Sequence, residues 1–160
     1  MSTDCTFKTT DGRFNYRVGA IILNKTNILM AYNRDYKQYY TVGGRIKLHE
    51  ASEEAVIREV REETGVEAEI DRLGFVHENF FKIDGVPYHE LSFFYYIKPF
   101  DYNTISFDSI KCDGDAEELR WVDLNNLPDC EFYPEFFKTE LKAEILIPSN
   151  TVKHFITREY

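Results

Sequence analysis

The segment 51–64, ASEEAVIREVREET, limits the possible folds more than any other part of the chain. It is predicted to be helical. Ser52 is placed to cap its N-terminus, Glu53 and Glu54 suit the positive end of the helix dipole, and Gly65 suits the position just past its C-terminus. Around it the chain breaks into runs of strand length. Residues 7–10, 14–23, 28–32, 39–42, 67–77, 90–98, 119–122 and 152–157 are strand-like in composition and length. Asp11-Gly12 marks a turn, 24–27 joins two strands as a hairpin, and Gly43-Gly44 ends the strand at 39–42. Residues 134–141 read as a second helix opened by Pro134, and 100–115 as a polar loop. Many strands and few helices predict an α/β chain: a mixed β-sheet with helices packed on it. With no repeat, low-complexity run or linker, residues 1–160 are expected to form a single domain.

Three carboxylates of the predicted helix crowd one face. Glu59 and Glu63 stand four residues apart and Glu62 three from Glu59, so all lie within about a turn. Like charges at this spacing destabilise an isolated helix by a few tenths of a kcal/mol per pair. They also occupy the end of the helix where the dipole disfavours anions. A divalent cation would turn that penalty into a ligand set. Oxygen-only ligands suit a hard ion, Mg²⁺ or Mn²⁺, rather than Zn²⁺, and Mg²⁺ keeps positions open for water and substrate phosphates. Taken alone, the same segment also fits a solvated face, on which Arg58 and Glu62 form an i,i+4 ion pair.

The register of the whole stretch decides between these readings. Gly44, five residues, Glu50, seven residues, Arg58-Glu59-Val60, one residue, Glu62-Glu63, one residue, Gly65-Val66 fills every fixed position of a known box. In this the chain resembles the Nudix hydrolase family. The resemblance implies an α/β/α sandwich with a mixed β-sheet and the family's loop-helix-loop. It also implies hydrolysis of a diphosphate linkage, in a nucleoside di- or triphosphate derivative, by attack of water on phosphorus. Glu59, Glu62, Glu63 and the Gly43 carbonyl would be metal ligands, with Mg²⁺ as the expected ion and Mn²⁺ as the alternative. Glu62 could instead be the base that activates water, and Glu117 and Glu118 are further candidates for that role. Arg58 would hold the carboxylates in place. Gly44, Glu50 and Gly65 would shape the box, and Ala55, Val56 and Val60 would pack beneath it. Val42 stands where many members have proline, a departure that removes no ligand. Tyr39, Tyr40, Phe80 and Phe81 are candidates for stacking on a base; His77, Glu78, His89 and Glu90 bracket a loop that could face substrate. Members specific for ADP-ribose resemble one another in carrying a proline where this chain has Phe81, and dinucleoside-polyphosphate members often have a tyrosine where it has Ile83, with Tyr88 nearby. A catalytically silent nucleotide-binding module of the same fold is the alternative, although such modules usually lose box glutamates that are all kept here. A homodimer is compatible with the family.

The charge agrees with a cation-mediated site. The chain has 160 residues, 28 acidic and 19 basic, for a net charge of −9. Such a balance argues against nonspecific nucleic-acid binding and against docking on anionic lipid. It leaves room for a small phosphate-bearing ligand held through metal. Six glutamates against two arginines between Glu50 and Glu63 supply much of the excess. Cys5, Cys112 and Cys130 are scattered, no CxxC occurs, and no signal-like N-terminus or membrane-length apolar run is present, so a cytoplasmic location is expected.

Overall fold

Side chains two apart along a strand share a face, so a sheet with apolar residues at consecutive positions must be covered on both sides. The computed structural model, which describes residues 2–107 and 117–160, shows both covers. The elements run β1 (Thr6–Thr9), β2 (Gly12–Ile21), β3 (Leu23–Asn24), β4 (Asn27–Asn33), β5 (Gln38–Arg45), α1 (Ser52–Thr64), β6 (Ile70–Ile83), β7 (Val86–Ile97), β8 (Glu117–Asp123), β9 (Glu131–Tyr133), α2 (Phe137–Leu146) and β10 (Lys153–Arg158). The main path of the sheet is β10-β6-β7-β2-β5-β4-β3, with β1 on β2, β8 on β4 and β9 on β5. It is mixed: β2 runs parallel to β7, β10 to β6 and β9 to β5, whereas β2–β5, β4–β5, β4–β8 and β6–β7 are antiparallel.

The two cores follow the strand alternation. Val18, Ala20 and Ile22 pack with Leu29, Val42, Tyr95 and Ile97 against Ala55, Val56 and Val60 of α1. Ile21, Ile28, Met30, Phe94 and Tyr96 face the other way, against Phe137 and Leu141 of α2. Val56 and Val60 are fully buried. Each such side chain contributes about 1.5–3 kcal/mol over an exposed one, which fixes α1 on the sheet despite its charged outer face. The result is the expected α/β/α arrangement.

Several boundaries differ from the sequence reading, each for a local reason. The N-cap of α1 is Ala51, not Ser52. The Glu54 carboxylate accepts the Ala51 N–H at 2.8 Å, one half of a capping box, while the Ser52 hydroxyl is hydrogen-bonded to the Tyr95 hydroxyl at 2.6 Å. Gly65 leaves the helix as expected, at φ 76, and its N–H bonds the Arg61 carbonyl. Strand β5 continues through Gly43 and Gly44 to Arg45, because Gly43 pairs with Gly19 and Gly44 with Val18 on β2. Strands β6 and β7 form one long hairpin closed by Asp84 and Gly85, both at positive φ, the conformation a two-residue hairpin turn demands. Helix α2 starts at Phe137 and ends at Leu146, three residues later at its start and five at its end than the sequence reading. Strand β9 was not anticipated. A 3₁₀ turn, Tyr102–Thr104, lies in the described part of the predicted loop; residues 108–115 of that loop, including Cys112 and Asp113-Gly114-Asp115, fall outside the described residues. Cys5 and Cys130 are free thiols. No helix among the described residues is long and apolar enough to cross a membrane.

Candidate active site

The last turns of α1 lie beside the double glycine of β5, so the helix carboxylates meet strand backbone. The Gly43 N–H donates to Glu63 Oε1 at 3.0 Å. A Cβ on Gly44 would stand 2.5 Å from Glu59 Oε1, so only glycine lets that carboxylate come so close to the strand. A Cβ on Gly43 would meet the Val18 carbonyl oxygen at 2.2 Å.

Arg58 organises the next layer. Its Nε donates to Glu50 Oε1 at 2.6 Å and one Nη to Glu50 Oε2 and the Arg45 carbonyl, both at 3.0 Å. The other Nη donates to Glu59 Oε1 at 2.6 Å and to Glu62 Oε2 at 3.4 Å. The Lys47 N–H donates to Glu50 Oε2 at 2.9 Å. Glu50 therefore ties the loop before α1 to the helix. Its acidity is raised, its pKa lying below the usual carboxylate value, chiefly by the Arg58 hydrogen bonds. The Arg58 guanidinium is correspondingly held still more firmly in its charged form.

Glu59 and Glu63 lie on the other side of the balance. Burial raises the pKa of Glu59 despite its contact with Arg58. Glu63 is 8% exposed, and burial pushes its pKa up to about 8, with the charges of Glu59 and Glu117 adding to the shift and the Gly43 N–H opposing it. Glu62 is about half exposed. An open cleft of about 360 Å³ is lined by Asp4, Arg17, Gly44, Arg45, Lys47, Arg58, Glu59 and Glu62. These hard oxygen donors, crowded and in part desolvated, match what a divalent cation requires. Among the described residues no three acidic or histidine side chains converge on one point as placed. Glu59 is drawn to Arg58, so a ligand set would form by rotation of Glu59 and Glu62 about their side-chain bonds.

Other residues singled out in the sequence are spread between the site and the rest of the sheet. Glu117 is close enough for its charge to act on Glu63, and it accepts a hydrogen bond from Asn33 Nδ2 at 3.3 Å. Its neighbour Glu118 is taken up by an ion pair with Arg120, which lies over the Tyr32 ring. Tyr40 stacks on Tyr133 of β9 at 5.6 Å, within electrostatic reach of Glu117 and Arg17. Tyr39 is instead buried in the core on the α2 side. Phe80 stacks on His89, and Phe81 on Tyr88, along the β6–β7 hairpin, and neither lines the cleft. His77 is buried edge-on to Phe136, with its Nε2 hydrogen-bonded to the Thr157 hydroxyl at 2.8 Å. Glu78 contacts His154 and His89. Glu90 is ion-paired with Arg17.

Arg17, Arg45, Lys47 and Asp4 line the cleft without having been anticipated. Arg17 and Arg45 meet because β2 pairs with β5 in the register Arg17↔Arg45, a long-range fact with no local sequence signal. Lys47, within the box's own loop, was the one a closer reading of the segment could have found.

Comparison with known proteins agrees with this geometry. The NUDIX domain family model matches residues 13–139. An ADP-ribose pyrophosphatase of Methanocaldococcus jannaschii is 31% identical over 111 residues, 68% of this chain, and the chain spans 60% of that relative's length. A MutT NUDIX hydrolase of Burkholderia pseudomallei has the same fold, with a TM-score of 0.62 and 22% identity over 79% of this chain and 96% of that one. A MutT protein of Bacillus halodurans matches with a TM-score of 0.62 and 15% identity over 91% of each chain. On the family match, and with Gly44, Arg58, Glu59 and Glu62 of the box lining one cleft, this chain belongs to the NUDIX domain family.

Proposed function

We propose that the chain is a single-domain, Mg²⁺-dependent pyrophosphohydrolase that splits a diphosphate linkage in a small nucleotide derivative by attack of water on phosphorus. The observation that carries this reading is Glu63: a buried carboxylate within reach of the charges of Glu59 and Glu117, on the helix whose Glu59 and Glu62 line an open cleft. Glu59, Glu62, Glu63 and the Gly43 carbonyl would hold the ion. A divalent cation there supplies the positive charge that offsets both the carboxylates and the substrate phosphates. Arg58 and Glu50 keep the carboxylates in register. Glu62, exposed to the cleft, and Glu117, near Glu63, are the groups placed to take the proton of the attacking water, whereas Glu118 is occupied by Arg120. Tyr40, backed by Tyr133, is the aromatic best placed to meet a base. The name of the Methanocaldococcus relative makes ADP-ribose the first substrate to test, although Phe81 stands where ADP-ribose-specific members carry proline.

The test is a Mg²⁺-dependent screen against ADP-ribose, nucleoside triphosphates, NADH, nucleotide sugars and dinucleoside polyphosphates, followed by release of phosphate-containing products. Turnover of at least one of them, abolished by EDTA, is expected. Nucleotide binding without turnover of any would instead favour the silent binding module.

A further inference from the structure

Three arginines line the cleft, and their surroundings differ; Arg45 pairs with Asp4 of the same cleft at 3.7 Å. Arg58 spends its guanidinium on Glu50, Glu59, Glu62 and the Arg45 carbonyl. Arg17, on β2, has a side chain 39% exposed, and among the described residues it donates no hydrogen bond. Its contact with Glu90 is an ion pair at 4.0 Å, too long to engage a donor. Its charge nevertheless reaches both Glu59 and Glu63. It is therefore a cation lining the cleft beside Glu59 and Glu62, with its fork of donors available.

Behind Arg17 runs a chain of polar contacts. Asn15, 3% exposed, donates from Nδ2 to Glu90 Oε2 at 3.3 Å. Its Oδ1 accepts the Thr6 hydroxyl at 2.7 Å, and Arg13 Nε donates to that same hydroxyl oxygen at 3.1 Å. A polar group buried in a sheet, as Asn15 is, costs stability unless it is hydrogen-bonded. These contacts end at the carboxylate that faces Arg17.

We infer that Arg17 binds a phosphate group of the substrate directly, and that Glu90, fixed by buried Asn15, is the positioning residue that aims it. The inference rests on the function proposed above and adds the group that recognises phosphate without metal. A guanidinium is suited to this, since its parallel N–H donors match two phosphate oxygens. On substrate arrival the Arg17 donors would turn to phosphate, and Glu90 would keep the guanidinium oriented.

The test combines kinetics on a substrate identified by the screen with calorimetric binding of inorganic pyrophosphate in the presence of Mg²⁺. Arg17→Ala is expected to raise KM and weaken pyrophosphate binding by about 10–100-fold, the range of a lost charge-assisted pair, with a smaller effect on kcat. Arg17→Lys should recover only part of this, because an ammonium cannot form the fork. Glu90→Gln should raise KM by about 3–10-fold in the wild-type background and have no effect in the Arg17→Ala background, the signature of a residue acting through another. Melting temperatures separate these effects from misfolding. Wild-type KM and pyrophosphate affinity in a folded Arg17→Ala protein would overturn the inference, as would an equal Glu90→Gln effect in both backgrounds. If no substrate is hydrolysed but pyrophosphate binding still depends on Arg17, the binding role stands and the proposed activity falls.

Discussion

Two buried glutamates, one on each helix, show how the same side chain can serve structure or chemistry. Glu144 on α2 is 7% exposed and Glu63 on α1 is 8% exposed. Arg72 donates to Glu144 Oε2 at 3.0 Å, Lys153 lies 3.6 Å from Oε1, and the Ser149 N–H donates to Oε2 at 2.9 Å. Its charge is matched by cations covalently fixed to the fold. Glu63 has Gly43 as a donor and feels the charge of Arg17, but Glu59 and Glu117 add more negative charge around it. A protein that buries a carboxylate among carboxylates loses stability at neutral pH unless a mobile cation arrives. Close ion pairing suits Glu144 to a structural part, and the surplus of carboxylates around Glu63 suits α1 to the cation-binding part in the proposed function.

The sharpest way to break this contrast is at Glu63. Glu63→Gln keeps the shape and removes the charge. Catalysis is expected to fall by about 10³-fold or more, equivalent to about 4 kcal/mol in the barrier. Stability should move the other way: without divalent ions at neutral pH, the variant should melt at or above the wild-type temperature. Steady-state assays and thermal melts in EDTA check both halves. A variant that melts well below wild type would show that Glu63 has a structural function like that of Glu144.

Removing the other glutamate should give the opposite pair of results. Glu144→Ala leaves Arg72 and Lys153 facing an apolar gap beside Tyr96, whose ring Arg72 covers at 4.1 Å. Breaking one partner of a buried ion pair costs about 3–5 kcal/mol, and the lower end applies because both cations are partly exposed. Urea denaturation should show that loss, while turnover per folded molecule stays near wild type.

The functional half of this contrast was far more legible in the sequence than the structural half. The box glutamates, Arg58 and the glycines lie within one continuous segment, where helix periodicity and residue spacing can be read directly. Glu144 draws its meaning from Arg72, 72 residues away on β6, and from Lys153 on β10. No local pattern announces either contact. Arg17 was overlooked for the same reason, since only the pairing of β2 with β5 brings it to the cleft. The aromatics show the limit from another side. Tyr39 and Tyr40 are equally plausible as stacking groups in sequence, yet strand alternation sends Tyr39 into the α2-side core and leaves Tyr40 against Tyr133. Composition could not decide which face each would take. The cap of α1 differs for the same long-range reason, because Tyr95, a strand residue far along the chain, engages the Ser52 hydroxyl.

A third buried titratable group tests what burial does without an ion-pair partner. His77 is 6% exposed, packed on Phe136 and hydrogen-bonded to Thr157. Burial, with a smaller contribution from the charge of His154, lowers its pKa to about 4. In the unfolded chain a histidine takes up a proton near pH 6.5. Between pH 6.5 and about 4 the unfolded state therefore binds more protons at this residue, and its contribution to stability falls as the pH falls. The loss is about 1.4 kcal/mol for each pH unit well inside that window, or roughly 2 kcal/mol by pH 4.5 after allowing for the onset of titration. His77→Gln removes the titration and keeps a polar group facing Thr157. The difference in urea midpoints between variant and wild type, measured at pH 7 and again at pH 4.5, cancels the contribution of the carboxylates common to both. It should shift in favour of the variant at the lower pH. An unchanged difference would mean that water reaches the ring, and that burial at this end of the sheet is too shallow to hold a group neutral.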